Sequence, residues 1–346
     1  MRAVYFEEFG KLPEVREVPD PVPSKNGVVV RVEATGLCRS DVHGWLGHDS
    51  GIPLPHVPGH ELVGTIKSVG PEVRNFQVGQ RVTTPFVCAC GDCAECASGN
   101  GQVCPNQTQP GFTHWGSYAE LVALHNADFN LIALPDGMDS GAAALLGCRF
   151  ATAFRGLQHQ ARLERGETLL VVGCGGVGLS AVMIGVALGA RVVAVDINDD
   201  ALARAARLGA AHTVNSLGLS RQEVLAAIAS AAPEGVHVSV DALGREETAA
   251  VGILSLAPRG RHVQIGLFPE EPVIPMGAVI GKELSVLGSH GMPARDYQGL
   301  LDLVASGALR PEALIERRLV LEDVPAALAA MAQDRSELGV AVIELG

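Results

Sequence analysis

The chain has 346 residues, of which 47% are hydrophobic and 18% charged, and its formal net charge is −12. That is more chain than one hydrophobic core usually supports and enough apolar material for two, so a two-domain globular protein is expected and disorder is excluded. The acidic balance argues against a nucleic-acid binder, whose phosphate contacts need a basic face.

No apolar, cleavable leader follows Met1-Arg2-Ala3, so reduced cysteines and a cytoplasmic location are expected. From the N-terminus, short strand-like runs at Arg2 to Phe6, Val28 to Glu33, Leu62 to Val69 and Arg81 to Thr84 alternate with Pro and Gly turns, which predicts a mostly β domain over the first 147 residues. Within it lie Cys38, the pair His60-Glu61 and Cys148, far apart in sequence. Two sulfurs and an imidazole suit a tetrahedral Zn2+ site, and a set of three leaves the fourth position open to water or substrate. His56 is the nearest rival to His60 but lacks a following acid. Among eleven histidines, His48, His56 and His114 read as surface or structural residues.

Cys90, Cys93, Cys96 and Cys104 are spaced C-x2-C-x2-C-x7-C. Four thiolates fill a zinc coordination shell and leave no open position, the pattern of a structural ion. A disulfide framework fits short secreted chains rather than one of this length, and a nucleic-acid-binding zinc ribbon conflicts with the net charge. Cys88 and Cys174 belong to neither set.

From Leu169 to Ala190 there are 22 residues without a charge, long enough to suggest a membrane span. Six are glycine, four of them inside Gly173-Cys174-Gly175-Gly176-Val177-Gly178, so a strand, a glycine turn and a buried helix fit better. The run Thr168 to Val172 reads as the strand, Val177 to Leu188 as the helix, and Arg191 to Asp196 as a second strand ending in an acid. This G-x-G-x-x-G in its strand-turn-helix context is a dinucleotide-binding fingerprint: Gly173 permits the turn, Gly175 lets backbone approach a pyrophosphate, and Gly178 lets helix and strand pack. The helix N-terminus, at Gly176 and Val177, offers free N–H groups to phosphate. Asp196, 18 residues beyond Gly178, would accept from ribose hydroxyls and repel a 2′-phosphate, which favours NAD over NADP. Helices over Asp199 or Asp200 to Leu208 and Ser220 to Ala231, and strands at Val236 to Val240, Arg261 to Ile265 and Glu283 to Leu287, complete a doubly wound parallel sheet. The dinucleotide-binding domain is expected over 151–287, interrupting a catalytic domain over 1–150 and 288–346.

Five ordered segments carry a resemblance that spans essentially the whole chain: Gly36-Leu-Cys38-Arg39-Ser40-Asp41-Val42-His43, Pro58-Gly59-His60-Glu61-Leu-Val-Gly64, the four-cysteine lobe, Leu146-Gly147-Cys148, and Gly173 to Gly178. The sequence resembles a zinc-dependent alcohol dehydrogenase of the medium-chain dehydrogenase/reductase superfamily. The resemblance implies an α/β protein: a GroES-like, mostly β catalytic domain with both zinc sites, plus a Rossmann domain. It implies two Zn2+ per subunit and NAD, with Cys38, His60 and Cys148 as catalytic-zinc ligands and Glu61 as an acid that can transiently approach the metal. Asp41 then orients the His60 imidazole, Ser40 and His43 form the proton relay, and Arg39 contacts the cofactor pyrophosphate. Gly339-Val340 stands where some relatives carry a pyrophosphate-binding arginine, which leaves that contact to Arg39. By family position Trp45, Phe86 and Trp115 line an apolar alcohol pocket, although Trp115 replaces a small or acidic residue of many relatives.

The implied reaction is NAD-dependent oxidation of primary, aryl-alkyl or secondary alcohols to aldehydes or ketones, and its reverse, through a zinc-bound alkoxide and hydride transfer. Zn2+ lowers the pKa of bound water to about 7 and should act similarly on an alcohol. The alternatives are a polyol or thiol-adduct (formaldehyde-type) dehydrogenase of the same superfamily and, more remotely, a non-enzymatic zinc and NAD redox sensor. The 43 residues between Cys104 and Cys148 resemble the microbial, often tetrameric, branch, so a homotetramer acting on a small-molecule alcohol or aldehyde is expected, with no nucleic-acid or membrane partner.

Overall fold

The computed structural model describes residues 1–135, 137–333 and 339–345. Its packing divides the chain into two compact units: Met1–Ala151 with Gly291–Leu301 and Pro311–Gly346, and Thr152–His290 with Asp302–Arg310. The Asp302–Arg310 stretch, expected with the catalytic domain, groups with the second unit.

The first unit is built on a seven-stranded sheet. Its longest strand, Val28–Gly36, pairs antiparallel with Leu62–Val69, Leu121–Leu124 and Ala341–Glu344. Arg81–Thr83, Ile132–Ala133 and Arg317–Leu319 extend it. The alternating valines of Val28–Gly36 explain its central place: Val28, Val30 and Val32 join Leu62, Ile66, Val82, Val122 and Leu124 in one apolar cluster. The hairpin Arg2–Tyr5 with Glu14–Glu17 stands apart from this sheet. A second core, formed by Val4, Phe6, Leu37, Val42, Trp45, Val324, Leu328 and Ile343, packs the helices Arg39–Trp45 and Val324–Ala332.

The second unit holds a six-stranded parallel sheet in the spatial order His212–Asn215, Arg191–Asp196, Thr168–Val172, Val236–Asp241, Leu256–Gln264, Ser285–Gly288. This is the doubly wound order 3-2-1-4-5-6. The uncharged stretch is resolved into the buried strand Thr168–Val172, a glycine turn and the helix Gly176–Ala187. Among the described residues no helix is long and apolar enough to cross a membrane.

Candidate active site

Two donor clusters lie in the first unit: the ligand atoms of Cys90, Cys93, Cys96 and Cys104 are all within 4.8 Å of one another, as are those of Cys38, His60, Glu61 and Cys148. In the first, sulfurs lie 3.4 Å apart between Cys93 and Cys96, 3.5 Å between Cys104 and Cys90, and 3.7 Å between Cys93 and Cys104. These thiols are free. Their separations far exceed a disulfide bond and approach the edge of about 3.8 Å that Zn–S bonds of about 2.3 Å give a tetrahedron. Backbone N–H groups of Cys90, Gly91 and Cys96 donate to the sulfurs of Cys104, Cys96 and Cys93, which favours thiolate. Cys88 lies outside, fully buried beside Thr84 Oγ1, and burial pushes its thiol up to about 11. Cys174 is likewise buried, its thiol raised first by burial and then by Asp196.

The second cluster is assembled from three segments. Cys38 lies two residues beyond the central strand and caps the helix Arg39–Trp45. His60-Glu61 precedes the strand Leu62–Val69, and Cys148 sits in a π-helical turn, Leu146–Phe150, of the sort that recurs at functional sites. Asp41 is buried and connects the first two. Its Oδ1 accepts from His60 Nδ1 at 2.9 Å and from the Gly59 N–H at 3.0 Å, while Oδ2 accepts from the Tyr118 hydroxyl at 2.7 Å and the Cys38 N–H at 3.3 Å. A carboxylate on Nδ1 assigns the proton there and leaves the lone pair on Nε2. Nε2 is buried and has no hydrogen-bond partner in the protein. An orphaned imidazole nitrogen beside two thiols is a donor set that suits a metal ion. Cys38, hydrogen-bonded by Cys148 and faced by His60, is held well below the usual thiol range.

Glu61 does not point freely at the donors. Its carboxylate is fully buried and clamped by Arg149, whose Nε lies 3.0 Å from both oxygens and whose Nη2 lies 2.5 Å from Oε2. Burial works against the Arg149 charge, yet Glu61 and Cys38 more than offset it and its pKa is raised.

Around the cluster, Ser40 Oγ is 3.8 Å from Cys38 Sγ and exposed, and His43 is exposed on the same helix with Nδ1 3.0 Å from Nδ1 of His48. Burial and the neighbouring His48 lower the His43 pKa. Arg39 is exposed at the start of this helix. Phe86 and Phe112 flank the His60 ring, with centroids 6.2 and 5.2 Å away. Trp45 and Trp115, expected in the pocket, have contacts of their own. Trp45 is buried in the core with Phe6 and Val324 and donates to Lys11 O, because its helix turns that face toward Val324–Ala332. Trp115 stacks edge-on against Tyr5 and donates to Pro55 O, anchored to the N-terminal hairpin. His56 is fully buried by Phe6, and His114 lies against His125. Sequence reasoning missed Tyr118, Phe112 and Arg149 and set His48 aside. Arg149 had a signal: it is the single charge between Ser140 and Phe154.

In the second unit, Gly173 is left-handed (φ 93°) and packs under Leu243, and a Cβ on Gly178 would overlap the Gly173 carbonyl. A Cβ on Gly175 would meet open space, the cradle a pyrophosphate needs above the N-terminus of Gly176–Ala187. Asp196 ends its strand half-buried, with Oδ2 accepting the Cys174 N–H at 2.6 Å and Oδ1 the Asn198 N–H at 3.0 Å. The carboxylate is therefore locked beside the glycine turn with lone pairs still free, which fits a nucleotide ribose.

Residues 24–136 match the alcohol dehydrogenase GroES-like domain family and residues 176–306 the zinc-binding dehydrogenase family. An alcohol dehydrogenase of Geobacillus stearothermophilus is 34% identical over 312 residues, 90% of each chain. An NAD-dependent alcohol dehydrogenase of Saccharolobus solfataricus is 32% identical over 339 residues, 95% of each chain. The solved alcohol dehydrogenase of Thermus sp. ATN1 superposes over all of both chains with a TM-score of 0.90 at 30% identity. With a shared fold along its whole length and this identity over nine-tenths of it, the chain belongs to the NAD- and zinc-dependent alcohol dehydrogenases of the medium-chain dehydrogenase/reductase superfamily.

Proposed function

We propose that Cys38, His60 and Cys148 hold a catalytic Zn2+ and that the chain oxidises primary or aryl-alkyl alcohols, and reduces the corresponding aldehydes, with Cys90, Cys93, Cys96 and Cys104 holding a second, structural ion. The observation that carries this reading is the buried His60 Nε2, oriented by Asp41 and left without a protein partner beside two thiols. When bound, the ion supplies Lewis acidity that makes an alcohol hydroxyl acidic at neutral pH. NAD supplies the hydride acceptor.

The residues do the rest. Asp41 fixes the His60 ring and tautomer, and Tyr118 fixes Asp41. Ser40 takes the alcohol proton and passes it outward to His43, whose lowered pKa keeps it an acceptor at neutral pH. His48, in hydrogen-bond contact with His43, extends that path into solvent. Phe86 and Phe112 present apolar walls at His60, which supports alcohols with apolar substituents over polyols. Gly173, Gly175, Gly176, Val177 and Gly178 cradle the pyrophosphate, Arg39 supplies a cationic contact to it, and Asp196 binds the ribose. The interval between Cys104 and Cys148 supports a homotetramer, which light scattering tests. A panel of alcohols assayed by NADH absorbance tests the substrate class: primary and aryl-alkyl alcohols should turn over at least tenfold better in kcat/KM than polyols or a formaldehyde-thiol adduct, and the reverse order refutes it.

A further inference from the structure

Glu61 is the one member of the open cluster that the proposed metal site does not use. Its carboxylate oxygen lies within 4.8 Å of the Cys38, His60 and Cys148 donor atoms, close enough that a modest swing would make it a fourth ligand and close the site. Something must hold it back. Arg149 supplies the hold: its Nε reaches both carboxylate oxygens, its Nη2 donates to Oε2, and its backbone N–H donates to Oε1 at 3.0 Å. The pocket is shaped for this pose, since any Cβ at Gly36 would overlap Oε2.

The position of Arg149 in the chain adds a second function. It directly follows the donor Cys148, its side chain pairs with the residue after donor His60, and its Nη2 donates at 3.0 Å to the carbonyl of Leu37, the residue before donor Cys38. One guanidinium therefore ties together all three donor-bearing segments. Lysine cannot do this, because a single ammonium lacks the planar fork.

We propose that Arg149 is the positioning residue that keeps Glu61 off the fourth coordination position, so that this position stays open to the alcohol oxygen. The inference rests on the three-donor metal site proposed above. In its absence Glu61 is an unpaired buried carboxylate beside a dication, and it turns the open cluster into a closed one.

The test is imidazole binding to the cobalt(II)-substituted full-length protein, read from the visible d–d bands, which report on the open site because the four-thiolate lobe has no position to offer. Wild type should respond saturably. Arg149→Met should bind imidazole at least tenfold more weakly while still holding two metal ions, and Glu61→Gln/Arg149→Met, which removes the competing carboxylate, should return to within threefold of wild type. Arg149→Met responding like wild type, or a double variant that fails to recover, overturns the inference. If Arg149→Met does not fold, Arg149→Lys carries the test, with the same tenfold weakening expected and a wild-type response overturning it. A wild-type protein that itself gives no response overturns the open-site reading and this inference with it.

Discussion

The two donor clusters share a unit and a chemistry but differ in how the chain makes them. The Cys90 to Cys104 lobe draws its four sulfurs from a single short segment, and three of them accept a nearby backbone N–H. The Cys38, His60 and Cys148 cluster gathers donors from three segments, and it needs Asp41, Tyr118 and Arg149 to hold them in place. Local spacing suffices for a closed site whose role is to be filled. A site that must keep one position open needs outside support, because a flexible donor would otherwise occupy it.

Cys38→Ser tests that difference most strongly. It should leave the fold intact and lower kcat/KM on the order of 10^4-fold, the loss expected when several kcal/mol of Lewis-acid stabilisation disappears. The comparison breaks if circular dichroism shows unfolding. Cys96→Ser should do the opposite: a fall in Tm of roughly 5–10 °C as a structural ion is lost, with kcat/KM of the folded fraction within about threefold of wild type.

Acid separates metal loss from other causes of unfolding. His114 is held at about 4 by burial and by His125, below its unfolded value of 6.5. The unfolded chain therefore takes up this proton first. Its contribution is complete above pH 6.5 and is lost as pH falls toward 4, roughly 3 kcal/mol in all. His114→Gln should flatten that limb in urea titrations between pH 7 and 4 without changing zinc content. An unchanged limb would assign the acid sensitivity to other groups, the buried His56 and His262 or the metal-binding thiolates. The smallest effect belongs to the cofactor loop: Asp196→Ala should raise the NAD KM about tenfold, as expected for one lost charged hydrogen bond, and narrow the preference over NADP. Initial rates with both nucleotides check it.

The same contrast explains what the sequence discloses. The four-cysteine spacing, the glycine turn and the strand ending at Asp196 are local patterns, and the structure forms all three as expected. Short or half-exposed strands escaped: His212–Asn215 buries only Val214, and Ile132–Ala133 is two residues long. The strand expected at Arg261 to Ile265 runs Leu256–Gln264, its first half hidden in the sequence by Pro258, Gly260 and a left-handed Arg259 (φ 63°) that shifts the register. In the open site, Cys38, His60 and Cys148 are legible as donors and Asp41 as a support through the resemblance, but Tyr118 and Arg149 are not. Tyr118 meets Asp41 across 77 residues, Arg149 meets Glu61 across 88 and Leu37 across 112, and no periodicity in a single sequence encodes such partners. Trp45 shows the converse, because a large apolar residue near a motif is as easily core as pocket, and here it packs in the core.

The central claim is that this chain carries one closed and one open zinc site, and metal analysis of the native, metal-replete protein tests it most directly. Wild type should carry two zinc ions per subunit, Cys38→Ser one and Cys96→Ser one. A single ion in wild type that survives Cys38→Ser and is lost only in Cys96→Ser would contradict it.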